Sequence, residues 1–354
     1  MAGLYVHIPF CKKRCLYCDF FSTTLLERRE EYVDALLREI ELRRHEAGEA
    51  IRTIYIGGGT PSTLPVGDIQ RILDAIGTDQ AEEITVEVNP GDLSPEYLSA
   101  LRQTGVNRLS IGVQSFQDHL LQLIGRRHTA MQAIDAVHMA QHAGFDNISI
   151  DLIYALPTQT PVLWQADIEM ALQLGVQHIS TYGLMYEEGT ALTRMREAGE
   201  IEAVEEELEN KMYDELCERL KAKGFVHYEV SNFALPGFEA KHNSNYWNGT
   251  PYIGIGAGAH SYLPPVRSWN PDDLDAYIRG IRSGTLQRES ETLSERDLYN
   301  EKIMLGLRTN KGIEKRGTTH WLDDKMLRET PDGRLVATQQ GLHILNRIIE
   351  DLMI

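Results

Sequence analysis

LYVHIPFCKKRCLYC, residues 4–18, is the stretch on which the architecture turns. Residues 4–10 read as an apolar strand, and Cys11, Cys15 and Cys18 follow where that strand ends. A doubly wound dinucleotide fold would place G-x-G-x-x-G directly after its first strand. Cysteines stand there instead. Outward from this point, strand-like segments at 53–56, 83–88, 108–113, 147–154 and 178–184 alternate with helical ones. The helices fall at 26–45, 69–76, 130–142 and 162–174, with another starting at Ser94, a cap followed by Pro95 at the first helical position. Six such units predict an α/β fold with a parallel sheet and helices outside it, a partial TIM-like (β/α)6 barrel. In a barrel the C-terminal strand ends converge on one site. The cysteines, Gly57–Thr60, Glu87–Asn89, Gln114, Asp151 and Tyr182 all lie at those ends.

After residue 190 the pattern changes. A charged helix at 201–223 leads into a β-rich, glycine- and asparagine-rich stretch from 225 to 262. From 293 onward come helices, the turn Pro331-Asp332-Gly333 and a closing helix at 341–353, which together predict a small winged-helix-like α+β domain. The expected organisation is a barrel core over 1–190, a linking helix with a β-rich segment over 191–290, and the winged-helix-like domain over 291–354. A net charge of −17 excludes a broad nucleic-acid footprint even for such a domain, because phosphates would be repelled over most of the surface. Two basic islands, Lys12-Lys13-Arg14 and Arg126-Arg127-His128, instead suggest a small anionic ligand. No apolar run approaches the ~18 residues of a membrane span. No signal-peptide pattern opens the chain, so a cytoplasmic location is expected.

Of four cysteines, three lie between positions 11 and 18, which points to metal rather than to a disulfide framework. Three thiolates on one loop can hold three irons of a cubane and leave the fourth open. Zinc normally takes four ligands, and the residue two beyond Cys18 is Phe20, although His7 could complete a tetrahedron. Lys12, Lys13 and Arg14 would offset the thiolate charge. Cys217, within a helical pattern, reads as a buried small hydrophobe. Gly57-Gly58-Gly59-Thr60-Pro61 would let a ligand lie against the backbone.

CxxxCxxC after a first strand, with Gly-Gly-Gly-Thr-Pro after the second, resembles the radical S-adenosylmethionine (SAM) superfamily. YVHIPFC (5–11), SIGVQSF (110–116) and IDLIYALPTQT (150–160) resemble the oxygen-independent coproporphyrinogen III oxidase (HemN) group, and the likeness runs along nearly the whole chain. The resemblance implies a 4Fe–4S cluster on Cys11, Cys15 and Cys18, SAM on its open iron, and an electron donor for the cluster. It also implies SAM contacts from Gly58, Gly59, Thr60, Glu87, Gln114, Arg126, Asp151 and Gly183. Tyr5 and Tyr17, beside the cysteines, read equally as rings that stack on adenine or shield the cluster and as ordinary barrel-core aromatics. Two departures stand out. Phe20 occupies the last position of the oxidases' CxxxCxxCxC, and only ten residues precede Cys11 where those enzymes carry a long extension. The HNxxYW motif, His242 to Trp247, is similar to that of the heme-chaperone (HemW) branch. Histidine is a common heme-iron ligand and aromatic rings pack on porphyrins. The resemblance therefore implies heme as cargo, held by His242, Tyr246 and Trp247 with His260 as a second candidate. Gly254–Gly258 would admit a flat ligand, and heme-acceptor proteins, membrane-bound ones among them, would be partners. Oxidative decarboxylation of coproporphyrinogen III is the alternative function, and Phe20 weighs against it.

Overall fold

The computed structural model describes residues 2–285, 287–315 and 319–354. Six strands, β1 (Ala2–Ile8), β2 (Ile51–Gly58), β3 (Glu83–Val88), β4 (Arg108–Gln114), β5 (Ile148–Tyr154) and β6 (His178–Gly183), pair in chain order and all in parallel. Crossover helices cover their outer face, so the outward positions of the strands are apolar, while the inward ones, Thr85, Glu87, Ser110, Ser149 and Asp151 among them, are polar. Leu4, Val6 and Ile8 of β1, with Ile54, Ile56, Val86, Leu109, Ile111, Ile150 and Leu152, are buried in one core. The helices start where capping chemistry starts them. Ser94 accepts from the Tyr97 N–H, Thr160 from Leu163, and Thr129 forms a reciprocal box with Gln132. Such caps contribute about 1 kcal/mol each.

The stretch after residue 225 extends this sheet at both edges. β7 (Val226–Glu229) and β8 (Asn232–Ala234) add antiparallel beside β6. On the other side β9 (Tyr252–Ile255) adds parallel to β1, followed by antiparallel β10 (His260–Leu263), β11 (Val266–Trp269) and β12 (Glu289–Thr292). Among the described residues these twelve strands form one sheet ending on β12 and β7, so the barrel stays open.

Between the two edge additions lies a helix, Lys241–Asn248, where the sequence reads as β-rich. Its residues are poor helix formers, and tertiary contacts override their propensity. The Glu83 carboxylate accepts from the N–H groups of both Lys241 and His242, at 2.9 and 2.8 Å, and Gly249 ends the helix in the left-handed region.

A second core of Ile303, Leu307, Ile313, Trp321, Leu335, Ile348 and Ile349 belongs to the C-terminal unit. There β13 (Ile313–Glu314), β15 (Arg334–Ala337) and β14 (Leu327–Glu329) make a small antiparallel sheet, turning at Gly333 as its turn sequence predicts. The closing helix divides at Ile344 into Gln339–His343 and Leu345–Leu352.

Candidate active site at the barrel mouth

A cavity of about 360 Å³ opens where β1 to β6 end. Cys11, Cys15 and Cys18, on the loop after β1, line one side; Gly58, Gly59 and Thr60, after β2, line the next. Glu87, Gln114, Asp151 and Gly183 come from β3 to β6, while Arg126 and Tyr17 complete the wall. Every cluster and SAM residue expected from sequence is thus brought together, Tyr5 excepted. Tyr5 is absent from the lining: its hydroxyl bonds His7 Nδ1 at 3.0 Å and its ring stacks on Tyr55. Of its two readings, the ligand-facing one is corrected and the barrel-core aromatic fits. An odd-numbered position of β1 aims the ring into the barrel interior rather than at the mouth.

The thiols fit a cubane better than a single ion. Among the described residues no three His, Cys, Asp or Glu side chains converge to hold one metal ion. His7 is closed as a zinc ligand, since Nδ1 meets the Tyr5 hydroxyl and Nε2 meets the Phe21 carbonyl at 2.9 Å. Three thiols spread along one loop would suit a cubane, which takes one thiolate per iron. Cys11 Sγ lies 3.4 Å from Thr60 Oγ1, and Arg126 Nη1 donates to Cys15 Sγ at 3.4 Å. Burial pushes the Cys11 thiol up, and that of Cys18 to about 11, so metal must displace protons to bind. Arg126 and Arg14 are the cations that face Cys11, and the Nε of Arg126 is buried with no protein partner.

Three other members of the two basic islands, Lys12, Arg127 and His128, are already paired or neutral. Asp92, itself buried, takes Lys12 at 2.7 Å and Arg127 at 3.0 Å, tying the cysteine loop to the turn after β3. Burial lowers His128 to about 4, leaving it neutral on the Val113 carbonyl. Lys13 and Arg14 remain at the cavity wall.

The carboxylates of the site are fixed by the barrel. Glu87 Oε1 accepts from the Tyr55 hydroxyl at 2.7 Å and Oε2 from the Gly58 N–H at 3.0 Å. Burial raises its pKa to about 7. Asp151 accepts from Ser110 Oγ at 3.2 Å and is likewise raised by burial. Gln114 sits at φ +72°, a left-handed conformation for a residue with a side chain, beside a register shift between β4 and β5. Such backbone strain gathers at functional sites.

The three consecutive glycines have an internal cause. A Cβ on Gly57 would meet the Tyr55 ring at 2.7 Å, one on Gly58 the His7 ring at 2.5 Å, and one on Gly59 the Pro9 carbonyl carbon at 2.8 Å. The sequence reading gave all three to a ligand; the protein itself fills the space on their Cβ side. Gly183 is similar, since a Cβ there would strike Glu209 Oε1 at 2.7 Å.

The HNxxYW motif lies at the other end of the barrel. His242 packs on Gly3, Thr53 and Glu83, which open β1, β2 and β3. It is 1% exposed, its Nδ1 is 3.0 Å from Thr53 Oγ1, and its Nε2 is 2.9 Å from the Tyr246 hydroxyl. The expected ligand role of His242 and Tyr246 is therefore corrected: both imidazole nitrogens and the Tyr246 hydroxyl are engaged inside the protein. Trp247 is half-buried on the same helix. His260 is exposed at the start of β10 and stacks on Trp269. Gly254 and Gly256 are packing positions rather than a ligand platform, since a Cβ on Gly254 would lie 2.1 Å from the His260 carbonyl oxygen and one on Gly256 2.6 Å from the Tyr32 hydroxyl. Cys217 is buried beneath the C-terminal unit, as expected, with its thiol pushed up to about 11.

The family model of the radical SAM superfamily matches residues 5–171. The heme chaperone HemW of Lactococcus lactis subsp. lactis (strain IL1403) is 42% identical over 87% of this chain and 82% of its own length. That of Bacillus subtilis (strain 168) is 37% identical over 89% and 86%. The chain belongs to the HemN/HemW family of radical SAM proteins. Membership implies a 4Fe–4S cluster and SAM, for which the mouth supplies the fitting donors. A mitochondrial radical SAM domain-containing protein 1 of Danio rerio is 35% identical over 90% of this chain and 75% of its own length. The coproporphyrinogen III oxidase (HemN) of Escherichia coli shares the fold, with a TM-score of 0.82 and 23% identity over 99% of this chain and 89% of that one.

Two wall residues, Phe20 and Met185, are not marked as site residues by the sequence, whereas Tyr182 is, at the end of β6. Phe20 is 65% exposed, Met185 68% and Tyr182 43%, and all three border the same cavity. Phe20 enters the sequence argument only as the position of the oxidases' missing cysteine, and nothing in the pattern marks Met185.

Proposed function

We propose that this chain is a heme chaperone of the HemW type, binding heme at the barrel mouth and passing it to an acceptor protein. Its similarity at 42% identity over 87% of the chain to a protein of that name carries the reading. Three thiols, Cys11, Cys15 and Cys18, are the cluster ligands in this account, and Gly58, Gly59, Thr60, Glu87, Gln114, Arg126, Asp151, Tyr17 and Gly183 form the SAM pocket around them. When bound, the cluster and SAM supply one-electron chemistry at a carbon–sulfur bond. The chain's own share is positional. Arg126 steers charge toward Cys15, Asp92 fastens the cysteine loop through Lys12 and Arg127, and Glu87 offers its remaining lone pairs to the ribose hydroxyls.

Large exposed apolar side chains that border one cavity mark a binding surface rather than ordinary scatter. Phe20, Tyr182 and Met185 offer a porphyrin face an apolar rim, and Lys13 and Arg14 on the same wall suit its two propionates. Met185 is a further candidate axial ligand. His260 is the accessible histidine of the segment that sequence marked for heme. The same Phe20 that completes this rim stands in place of the oxidases' fourth cysteine, and porphyrinogen oxidation is not favoured.

The test is a heme titration of the anaerobically reconstituted protein, followed at the Soret band, with coproporphyrinogen III and SAM assayed in parallel. Saturable binding without sustained formation of protoporphyrinogen IX is expected. Multiple turnovers to protoporphyrinogen IX would overturn the reading, as would heme uptake that never saturates.

A further inference from the structure

The mouth and the HNxxYW helix stand at opposite ends of the barrel, yet one side chain spans the distance between them. Tyr55 is an inward position of β2. Its ring stacks on His242 at 5.3 Å between centroids on one side and on Tyr5 at 6.2 Å on the other. Its hydroxyl points the opposite way, donating to Glu87 Oε1 at 2.7 Å, while the other oxygen of that carboxylate holds the Gly58 N–H. Gly57 is bare because Tyr55 and Glu87 close over it: a Cβ there would lie 2.7 Å from the first and 3.0 Å from the second. His242 in turn has no freedom to move. Thr53, Tyr246 and Glu83 fix its two ring nitrogens and its backbone N–H, and Asn245 Nδ2 donates to the same Thr53 hydroxyl at 3.0 Å.

We infer that Tyr55 is a positioning residue of the SAM pocket, aiming the Glu87 carboxylate at the cavity, and that the HNxxYW helix serves that pocket from the barrel floor by clamping the Tyr55 ring. The motif then acts on the cofactor without touching it. The inference rests on Glu87 serving SAM, as proposed above. A hydroxyl lost from Tyr55 would leave the Glu87 carboxylate held by the Gly58 N–H alone and free it to rotate.

The groups that face Glu87 fix the sign of the effect. Burial raises its pKa, and Asp151 on β5 raises it further; Tyr55, the Gly58 N–H and Arg108 at the start of β4 lower it. Tyr5 and Tyr246 face it as neutral phenols, each pushed up by burial and by the Glu87 charge, and Tyr182 faces it from the cavity side. With its pKa at about 7, Glu87 takes a proton as the medium turns mildly acidic, and SAM affinity should fall with it. Removing the Tyr55 hydroxyl removes a donor to the charged form, so the midpoint of that fall moves to higher pH.

The experiment is SAM binding to the full-length, cluster-loaded protein, measured as Kd from mildly acidic to alkaline pH for the wild type, Tyr55→Phe, Thr53→Val and Glu87→Gln. Tyr55→Phe should bind about 3- to 10-fold more weakly near neutrality, the loss of roughly one ordinary hydrogen bond since the effect on SAM is indirect, and recover at alkaline pH. Thr53→Val, which loosens His242, should shift the midpoint the same way by less. Glu87→Gln should give a flat, weak profile. A purely structural Tyr55 would lower the melting temperature at every pH and leave the midpoint alone. A Tyr55→Phe midpoint coincident with the wild type, beside a flat Glu87→Gln profile, overturns the inference. Wild-type behaviour of Glu87→Gln would instead remove Glu87 from the pocket and the inference with it. If Tyr55→Phe fails to fold, an unshifted Thr53→Val midpoint serves as the overturning result.

Discussion

The two ends of the barrel hold polar residues in opposite ways. At the mouth, thiols, carboxylates and a guanidinium converge on open space, Gln114 is strained, and Arg126 Nε is left without a partner. At the floor, His242, Tyr246, Thr53, Asn245 and Glu83 answer one another with no ring nitrogen to spare. An incompletely satisfied cluster is what a ligand completes; a completely satisfied one is what a fold is built on. A motif can therefore be as distinctive as HNxxYW and still be supporting structure.

The largest expected contrast is in cluster loading. Cys15→Ser should abolish the broad iron–sulfur absorbance and the reduced-cluster electron paramagnetic resonance signal after reconstitution, whereas His242→Asn should retain both. A fully loaded Cys15→Ser protein would break the assignment of the mouth. Stability should divide the other way. His242→Asn leaves buried Thr53 and Tyr246 hydroxyls short of a partner and should cost about 1–3 kcal/mol, read from denaturant unfolding, and an unchanged midpoint would show the floor to be looser than described.

That cost should itself depend on pH. Burial lowers His242 to about 3, below the 6.5 of an exposed imidazole, so below about 6.5 the unfolded chain takes up a proton that the folded chain refuses. The stabilising contribution is complete above that point and lost as pH falls toward 3. Wild-type stability should thus drop relative to His242→Asn by up to about 1.4 kcal/mol per pH unit in that window. A gap independent of pH would mean that His242 is protonated in the folded state. The smallest effect is expected at the rim, where Phe20→Asp should change unfolding by no more than about 0.5 kcal/mol because the ring is exposed.

How much of this was legible in the sequence follows the same division. The barrel and its mouth were readable because strand period, helix caps and strand-end chemistry are local signals. The cysteines, Glu87 and Asp151 stand where those signals place them, and Arg126 where the family resemblance places it. The floor was not readable, because its logic is long-range. His242 meets Thr53 across 189 residues, and the helix that carries it is started by a carboxylate 158 residues away. The motif's helical character was hidden by poor propensities, and its glycine-rich neighbour by a contact with the His260 backbone that no spacing reveals. Charge misled for the same reason: Lys12 and Arg127 are spent on Asp92, 80 and 35 residues distant.

Heme affinity of two matched variants tests the contrast most directly. Cluster-loaded Phe20→Asp and His242→Asn proteins, both confirmed folded, are titrated with heme at the Soret band beside the wild type. The account predicts about tenfold weaker binding for Phe20→Asp, the loss of roughly one apolar side-chain contact, and binding within about twofold of wild type for His242→Asn. Loss of the Soret band in folded His242→Asn, with Phe20→Asp binding normally, would contradict it and return the heme site to the floor.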